Sequence, residues 1–358
     1  EITYGDWSSD VCSSDLASAR ITESGATNSG YDMSRDLGIE MFVDYDQLIY
    51  FRGEAEMAAR TLGLGVRASP FIANTSGSVS DGSRALRQAE AARRCGFHIG
   101  GGGLNVRLNP QAVGANPAFN IDTTSILNNL AGGPGGGISL AANGHEDVTI
   151  TSTVIRSNLS LIGASSPSRG GGLANQNLGQ TTLTSMLIAS NHADEGSGAG
   201  GGGVANIGAG PLQLNNTTIT ANTTLGDGGG IVILAGAVTL LNDTVSANRA
   251  DISNTGQGIG GGIRIPVGGT GTVNLQNTII DDNFRGPGTT VDDIAATTVS
   301  ASFSLVSNTG GVPIPVLTNL LNVSPKLFAM ADNGGPSVGT SSFASVLQTF
   351  AIMTGSPV

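Results

Sequence analysis

The sequence predicts an all-β fold, a right-handed parallel β-helix of about six coils, and three observations lead to this prediction. One motif is repeated three times between Gly198 and Asn283, as GGGVANIGAGPLQLNNTTITAN, GGGIVILAGAVTLLNDTVSAN and GGGIRIPVGGTGTVNLQNTIIDDN. Its fixed spacing extends over six copies, and the chain keeps 39% apolar residues although 55 of its 358 residues are glycine and only 12% are charged. Similarity at a period of about 20–50 residues is typical of stacked-repeat architectures.

Each copy begins with a run of glycines followed by an aliphatic residue. The last glycines of the six runs are Gly103, Gly137, Gly172, Gly203, Gly230 and Gly262. The aliphatic residues that follow them are Leu104, Ile138, Leu173, Val204, Ile231 and Ile263. Because glycine adopts positive φ at little cost, we expect the runs to allow a bend of the backbone.

Each copy ends with an asparagine at fixed offsets from other residues. The series is Asn129, Asn158, Asn191, Asn222, Asn248 and Asn283. Aliphatic residues lie three and eight positions before each asparagine, and a small polar residue lies six positions before it. Alternation such as Leu212/Leu214 predicts a strand with one buried face, and the three-residue step predicts a bend, so about three strands form one coil. Stacked coils would place the asparagine side chains in one amide ladder.

The chain divides into four predicted segments. Residues 6–16, DWSSDVCSSDL, resemble a translated reading frame of a sequencing adapter, so 1–16 are interpreted as an artefact. Residues 17–96 are predicted to form an N-terminal cap with degenerate coils, a separate small domain being the alternative, and Ala85–Arg94 favours a short helix. The β-helix is predicted over 97–300 and a C-terminal tail, folded along or over the last coil, over 301–358.

Charge and composition exclude several classes of partner. A net charge of −11 argues against binding to nucleic-acid phosphates or to anionic lipid. No apolar run reaches the roughly 18 residues that a membrane-spanning helix needs. Outside the adapter-like segment Cys95 is the only cysteine, so no internal disulfide is predicted.

Several strings resemble a known family. GGGLAN, GGGVAN, NTTITAN and NDTVSAN are similar to repeats of right-handed parallel β-helix proteins of the pectin-lyase-like superfamily, in particular large bacterial surface and secreted proteins. Ser324-Pro325-Lys326-Leu327, Ala331 to Pro336 and Gly355-Ser356-Pro357 resemble the choice-of-anchor type of C-terminal segment, which precedes interchangeable surface anchors. The resemblance implies an extracellular or cell-surface location, with an anchor expected beyond Val358.

Because the superfamily includes polysaccharide lyases and hydrolases, carboxylate clusters are candidate sites. Asp281, Asp282 and Arg285 are the catalytic candidates, although the last coil could expose such residues for purely structural reasons. The acids after the ladder asparagines could bind Ca²⁺ through oxygen ligands or could be ordinary solvated loop acids. They are Asp194, Glu195, Asp227 and Asp251.

The outward surface of the coils favours a function without catalysis. No Phe, Tyr, Trp or Lys occurs between Asn120 and Asn283, whereas sugar-binding grooves use aromatic faces and acidic polysaccharides need cations. The sequence therefore predicts a monomeric stalk or adhesin-like protein that binds an unknown extracellular carbohydrate or protein. The alternative is a polysaccharide lyase or glycoside hydrolase.

Overall fold

The protein is a parallel β-solenoid in a computed structural model. The structure describes residues 104–106, 118–140, 145, 147–161, 168–194, 198–256, 258–339 and 345–358, and the strands Ile49–Tyr50, Ile72–Ala73 and Ser78–Val79. This part of the chain contains strands and no helix, so the predicted all-β class is confirmed. The helix expected at Ala85–Arg94 and the adapter-like residues 6–16 lie outside the described residues.

Each turn of the solenoid contributes one strand to each of four sheets, which we number in chain order after a glycine run. Sheet 1 contains Ile49–Tyr50, Ile72–Ala73, Leu104–Val106, Ile138–Leu140, Leu173–Asn175, Val204–Asn206, Ile231–Ile233, Ile263–Arg264 and Ile294–Ala295. Sheet 2 contains Ser78–Val79, Ala118–Asp122, Asp147–Thr151, Thr181–Thr184, Leu212–Asn215, Ala237–Leu241, Thr272–Gln276 and Ser300–Ser302.

The other two sheets complete each turn. Sheet 3 contains Ser125–Leu127, Val154–Arg156, Leu187–Ala189, Thr218–Thr220, Thr244–Ser246, Ile279–Asp281, Leu305–Val306 and Leu320–Leu321. Sheet 4 contains Leu130–Ala131, Leu159–Ser160, His192–Ala193, Thr223–Thr224, Arg249–Ala250, Phe284–Arg285 and Thr290–Val291. Strands from consecutive turns pair in parallel, and within the described strands of these four sheets antiparallel pairs occur only at the outer strands of sheets 1 and 4.

The register of the sheets follows the sequence columns. The aliphatic residues after the glycine runs pair with one another in sheet 1, as Val204 pairs with Ile231. Those eight and three positions before the asparagines pair in sheets 2 and 3, as Leu214 pairs with Leu240 and Ile219 with Val245. These columns face inward and form one continuous aliphatic core. The six asparagines span about five turns.

Each turn has four strands, so the prediction of about three was wrong. The additional strand is the two-residue strand of sheet 4, which follows each asparagine directly. Its inward position holds small buried residues, which are Ala131, Ser160, Ala193, Thr224 and Ala250. A strand this short, without large apolar residues, has no alternation that a sequence pattern could reveal.

The glycine runs are required mainly by close backbone contact between turns. A Cβ atom at Gly203 would lie 2.7 Å from the carbonyl oxygen of Gly230 in the next turn and 3.0 Å from Nδ2 of Asn222. Positive φ, which the sequence predicts for the runs, occurs two residues earlier, at Gly201. The last glycine of a run therefore makes room for the neighbouring turn, while an earlier one makes the bend.

The solenoid continues past residue 300, where the sequence pattern places its end. Leu305–Val306 and Leu320–Leu321 add two further parallel strands to sheet 3. Between them the chain packs Ile314 into the end of the aliphatic core. The parallel stacking thus includes part of the segment assigned to the tail.

The tail packs on the outer face of sheet 3, whereas the sequence predicts it along or over the last coil. Ser337–Val338 pairs antiparallel with Ser345–Val346, and Val338 and Leu347 cover Val154 and Leu187. The Ser125 hydroxyl donates a hydrogen bond to the Val338 carbonyl (3.3 Å). Because Val154 and Leu187 point outward from early turns, the tail buries apolar area only by returning along the solenoid.

Candidate functional site

The ladder asparagines follow a sharp turn between sheets 3 and 4. The residue before each one has positive φ, and these residues are Asn128, Ser157, Ser190, Ala221, Ala247 and Asp282. Asparagine and aspartate tolerate this conformation better than other non-glycine residues. Asp282, a catalytic candidate because it differs from the small residues of its column, thus occupies a position whose backbone suits an aspartate.

The ladder side chains are buried, and those after Asn129 bond to groups in both neighbouring turns, as Asn222 illustrates. Its Oδ1 accepts hydrogen bonds from the backbone amide and Nδ2 of Asn191, each at 2.9 Å. Its Nδ2 donates to Oδ1 of Asn248 and to the carbonyl of Ile188, also at 2.9 Å. The same Nδ2-to-Oδ1 bond links Asn129 to Asn158, Asn158 to Asn191 and Asn248 to Asn283. The six side chains form one unbroken column.

The column ends on a carboxylate and not on an unpaired amide. The backbone amide and Nδ2 of Asn283 donate to Oδ1 of Asp293 at 2.9 and 2.8 Å. The other carboxylate oxygen accepts from the Ser307 hydroxyl at 2.6 Å. Burial raises the pKa of Asp293, and the hydrogen bonds from Ser307 and Asn283 oppose that shift. Asn283, the last asparagine of the series, therefore has a hydrogen-bond partner on both sides, Asn248 and Asp293.

Asp293 stands where earlier turns have the last glycine of a run. Ile263 pairs with Ile294 in sheet 1, so Asp293 corresponds to Gly262. Sequence reasoning missed this residue because VDDI contains no glycine. The spacing of 31 residues from Gly262 was the available signal, since it lies within the range between earlier runs.

A second polar column lies five positions before the ladder and was also missed. The backbone amide of one turn donates to the side-chain oxygen of the next, as from Thr217 to Asp243 (2.6 Å) and from Thr278 to Ser304 (3.2 Å). Asp243 also accepts from the Leu241 amide at 2.9 Å. Burial raises the pKa of Asp243 to about 7, although both amide donors lower it. Met186 interrupts the column, which hides it in the sequence.

The three catalytic candidates lie on different elements of the turn that begins after Gly262. Asp281 is on the outer side of sheet 3 and is only 4% exposed, Asp282 is an exposed turn residue, and Arg285 is exposed on sheet 4. Burial raises the pKa of Asp281 to about 6, the Ser307 hydroxyl opposes the shift, and the charges of Asp282 and Asp293 add to it. Asp281 therefore has the proton affinity that a general acid near neutral pH requires.

The charge of Arg285 affects the pKa of a different carboxylate, that of Asp292. Burial raises the pKa of Asp292, while the Gly260 amide, which donates to it at 2.8 Å, and the charges of Arg285 and Arg264 lower that pKa. Arg264 also pairs with Asp227, with 3.2 Å between Nε and Oδ2. The Gly260–Asp292 bond thus joins the last glycine run to the turn after it, and the Arg264–Asp227 pair joins that region to the turn before it.

The three described metal candidates each interact with different groups of the protein. Asp227 accepts from the Ile259 amide (2.8 Å) and pairs with Arg264. Asp251 closes its own loop by accepting from the amides of Thr255 and Gly256, both at 2.8 Å. Burial lowers the pKa of His192, and the negative charge of Asp194 opposes that shift.

The described members of this set do not form a cluster of metal-binding side chains. Glu195 lies outside the described residues. Within the described ranges, no group of three or more His, Cys, Asp or Glu residues is placed to hold a metal ion. Nor does that part of the chain contain a helix long and apolar enough to cross a membrane.

Comparison with known proteins adds no assignment. No protein-family model, no curated protein and no solved structure matches this chain.

Proposed function

We propose that the chain is a non-catalytic stalk or adhesin-like part of an extracellular or cell-surface protein of a bacterium. The observation that carries the proposal is that five buried or half-buried carboxylates bond to the protein's own backbone. Asp243 and Asp293 accept amides of the polar columns, and Asp227, Asp251 and Asp292 accept amides of the loops. Such carboxylates stabilise turns and are not directed at a substrate.

The shape of the solenoid supports the same proposal. Four parallel sheets and a continuous core run along its length, and each turn adds about 4.8 Å. A stack of this kind holds a binding surface at a distance from its attachment point. The repeats and tail strings that resemble bacterial surface proteins favour an extracellular setting, in which the ligand would be a carbohydrate or a protein.

The direct test is a search for polysaccharide cleavage. The chain is incubated with pectin, polygalacturonate and alginate, with and without Ca²⁺, and reducing ends and unsaturated products are measured. We expect no turnover, because the described turns supply no convergent set of acids and bases. Sustained product formation on any of these polymers would contradict the proposal.

The raised pKa of Asp281 favours a second candidate function, a polysaccharide lyase or glycoside hydrolase with its site on the turn that begins after Gly262. If cleavage were found, Asp281→Asn and Asp282→Ala should abolish it. The matched control is Asp332→Asn, which alters an exposed acid of the tail. Loss in the first two variants with retention in the control would assign the enzyme function.

A further inference from the structure

Exposed apolar side chains are concentrated at the C-terminal end of the solenoid. Five large apolar residues between positions 303 and 323 are exposed: Phe303 (70%), Val316 (74%), Leu317 (93%), Leu320 (39%) and Val323 (40%). We call these residues the end patch. Clustered exposed apolar side chains mark interaction sites more often than scattered ones do.

The end patch is not simply the uncovered core. Ile314 is 8% exposed within the core cluster, and Val312 and Leu321 pack against that cluster. These three residues close the end of the aliphatic interior. Val316 and Leu317 follow the closing segment and face solvent, so their burial requires something beyond the described part of the chain.

The end patch also includes an open strand edge. Leu320–Leu321 is the outermost strand of sheet 3 and pairs with Leu305–Val306 on one side only. The amides of Leu320 and Asn322 donate to the carbonyls of Ser304 and Val306 at 2.9 Å. The alternation of a strand therefore directs the Leu321 amide and carbonyl to the open edge, where a further strand could bind.

Backbone geometry supports burial of Phe303 in a complex. It continues a positive-φ column that otherwise contains Thr123, Ser152, Ser185, Asn216, Asn242 and Asn277. Phe303 adopts a φ of 51°, although a bulky residue is rare in this conformation. The strained backbone displays a ring to solvent, which is unfavourable unless a partner covers the ring.

The distribution of charge is compatible with a second copy of this chain as the partner. No Asp, Glu, Lys, Arg or His occurs from Ile294 to Pro325, although the whole chain carries a net charge of −11. Two such acidic copies repel each other over most of their surfaces. Contact through a charge-free end separates the two sets of charges and buries the apolar residues.

We propose that the end patch binds the end patch of a second copy, forming an end-to-end dimer. A two-fold axis gives both copies the same contact surface and makes the Leu320–Leu321 edges pair antiparallel. The product is a rod of about twice the length, with the C-terminal ends of the two solenoids in contact at its centre. The proposed dimer differs from the monomer that the sequence predicts, and it does not depend on the ligand of the stalk.

Sedimentation velocity of the full chain over a range of protein concentrations tests the proposal. The wild type should pass from monomer to an elongated dimer. Leu317→Asp should raise the dissociation constant at least about tenfold, because the two-fold axis brings two new charges together. The matched control, Val267→Asp, alters an isolated side chain that is 90% exposed and should leave the constant unchanged.

Salt and lipid vesicles distinguish self-association from membrane binding. Higher salt should strengthen the dimer, because it screens repulsion between acidic copies without weakening an uncharged contact. A wild type that stays monomeric at every concentration and salt would overturn the proposal, as would equal effects of the two variants. Phosphatidylcholine vesicles that bind the wild type but not Leu317→Asp, without dimer formation, would show that the patch binds membranes instead.

Discussion

The same position of the repeat holds a glycine in a middle turn of the solenoid and an aspartate in the last turn. Gly203, in the middle, lies beneath Gly230 and beside the Asn222 amide, and no side chain fits there. Asp293 occupies the equivalent position in the last turn and extends a side chain into the ladder. The glycine is therefore required by the turn that follows it.

The difference shows how the amide column is closed. In the middle, the asparagine of the next turn supplies the acceptor for the ladder, as Asn248 does for Asn222. After Asn283 the corresponding position is Thr309, and the acceptor comes instead from Asp293 in the glycine column. A carboxylate in the last turn thus replaces the amide of a ladder asparagine.

The largest expected effect on stability comes from adding a side chain to the last glycine of a run in a middle turn. Gly203→Ala should lower the free energy of unfolding by about 3 kcal/mol, because its Cβ would overlap the Gly230 carbonyl and press on the ladder. The measurement is urea unfolding followed by far-UV circular dichroism. The control is Gly288→Ala, since a Cβ at Gly288 meets nothing within 4 Å. Similar losses at both positions would show that close contact between turns is not what requires the glycine.

Removing ladder residues compares the two turns directly. Asn222→Ala and Asn283→Ala should each lower the free energy of unfolding by about 2 kcal/mol, because both leave buried partners unsatisfied. The losses should be equal, since Asp293 gives Asn283 a second neighbour. Denaturant unfolding of both variants provides the comparison.

The Asp293→Ala variant tests whether the Asp293 carboxylate is the second partner of Asn283. In that background the loss caused by Asn283→Ala should shrink by at least about 0.5 kcal/mol, as expected for coupled residues. The loss caused by Asn222→Ala should stay the same. A markedly smaller loss at Asn283 in the otherwise unchanged chain would mean that Asp293 does not close the ladder.

The middle turns were predictable from the sequence because stacking repeats the same requirements. Leu214 and Ile219 keep their offsets from Asn222, and their pairing in sheets 2 and 3 follows the predicted register. The last turn was less predictable, since a missing neighbour removes the need for glycine and Asp293 breaks the motif. The placement of the tail depends on outward-facing Val154 and Leu187, which a search for inward columns does not distinguish.

The same difference in predictability applies to the site residues. The asparagines recur in the middle turns and were found from the sequence, whereas Asp243, Arg264 and Asp292 bond to groups in other turns, two of them to backbone amides. A sequence shows that these residues are charged. It does not show which backbone amides they approach, because the loops between turns differ in length.

The smallest expected effect extends the comparison to the second polar column, where Asp243 is a carboxylate enclosed by middle turns. Its pKa is raised from 3.8 to about 7 by burial, so the folded protein keeps a proton that the unfolded chain loses near pH 4. The stability that this proton contributes is complete below about pH 4 and is lost as the pH rises to about 7.

Asp243→Thr removes the titrating group while retaining the residue type of Thr217 and Thr278 in the same column. Between about pH 5 and about pH 6 the wild type should lose about 1 kcal/mol more unfolding free energy than the variant does. Urea unfolding at the two pH values measures both losses. The missing acceptor for the Leu241 amide shifts the variant's stability equally at both pH values, so it does not affect the difference. Equal losses in the two proteins would mean that Asp243 is already ionised at pH 5, with its two amide donors outweighing burial.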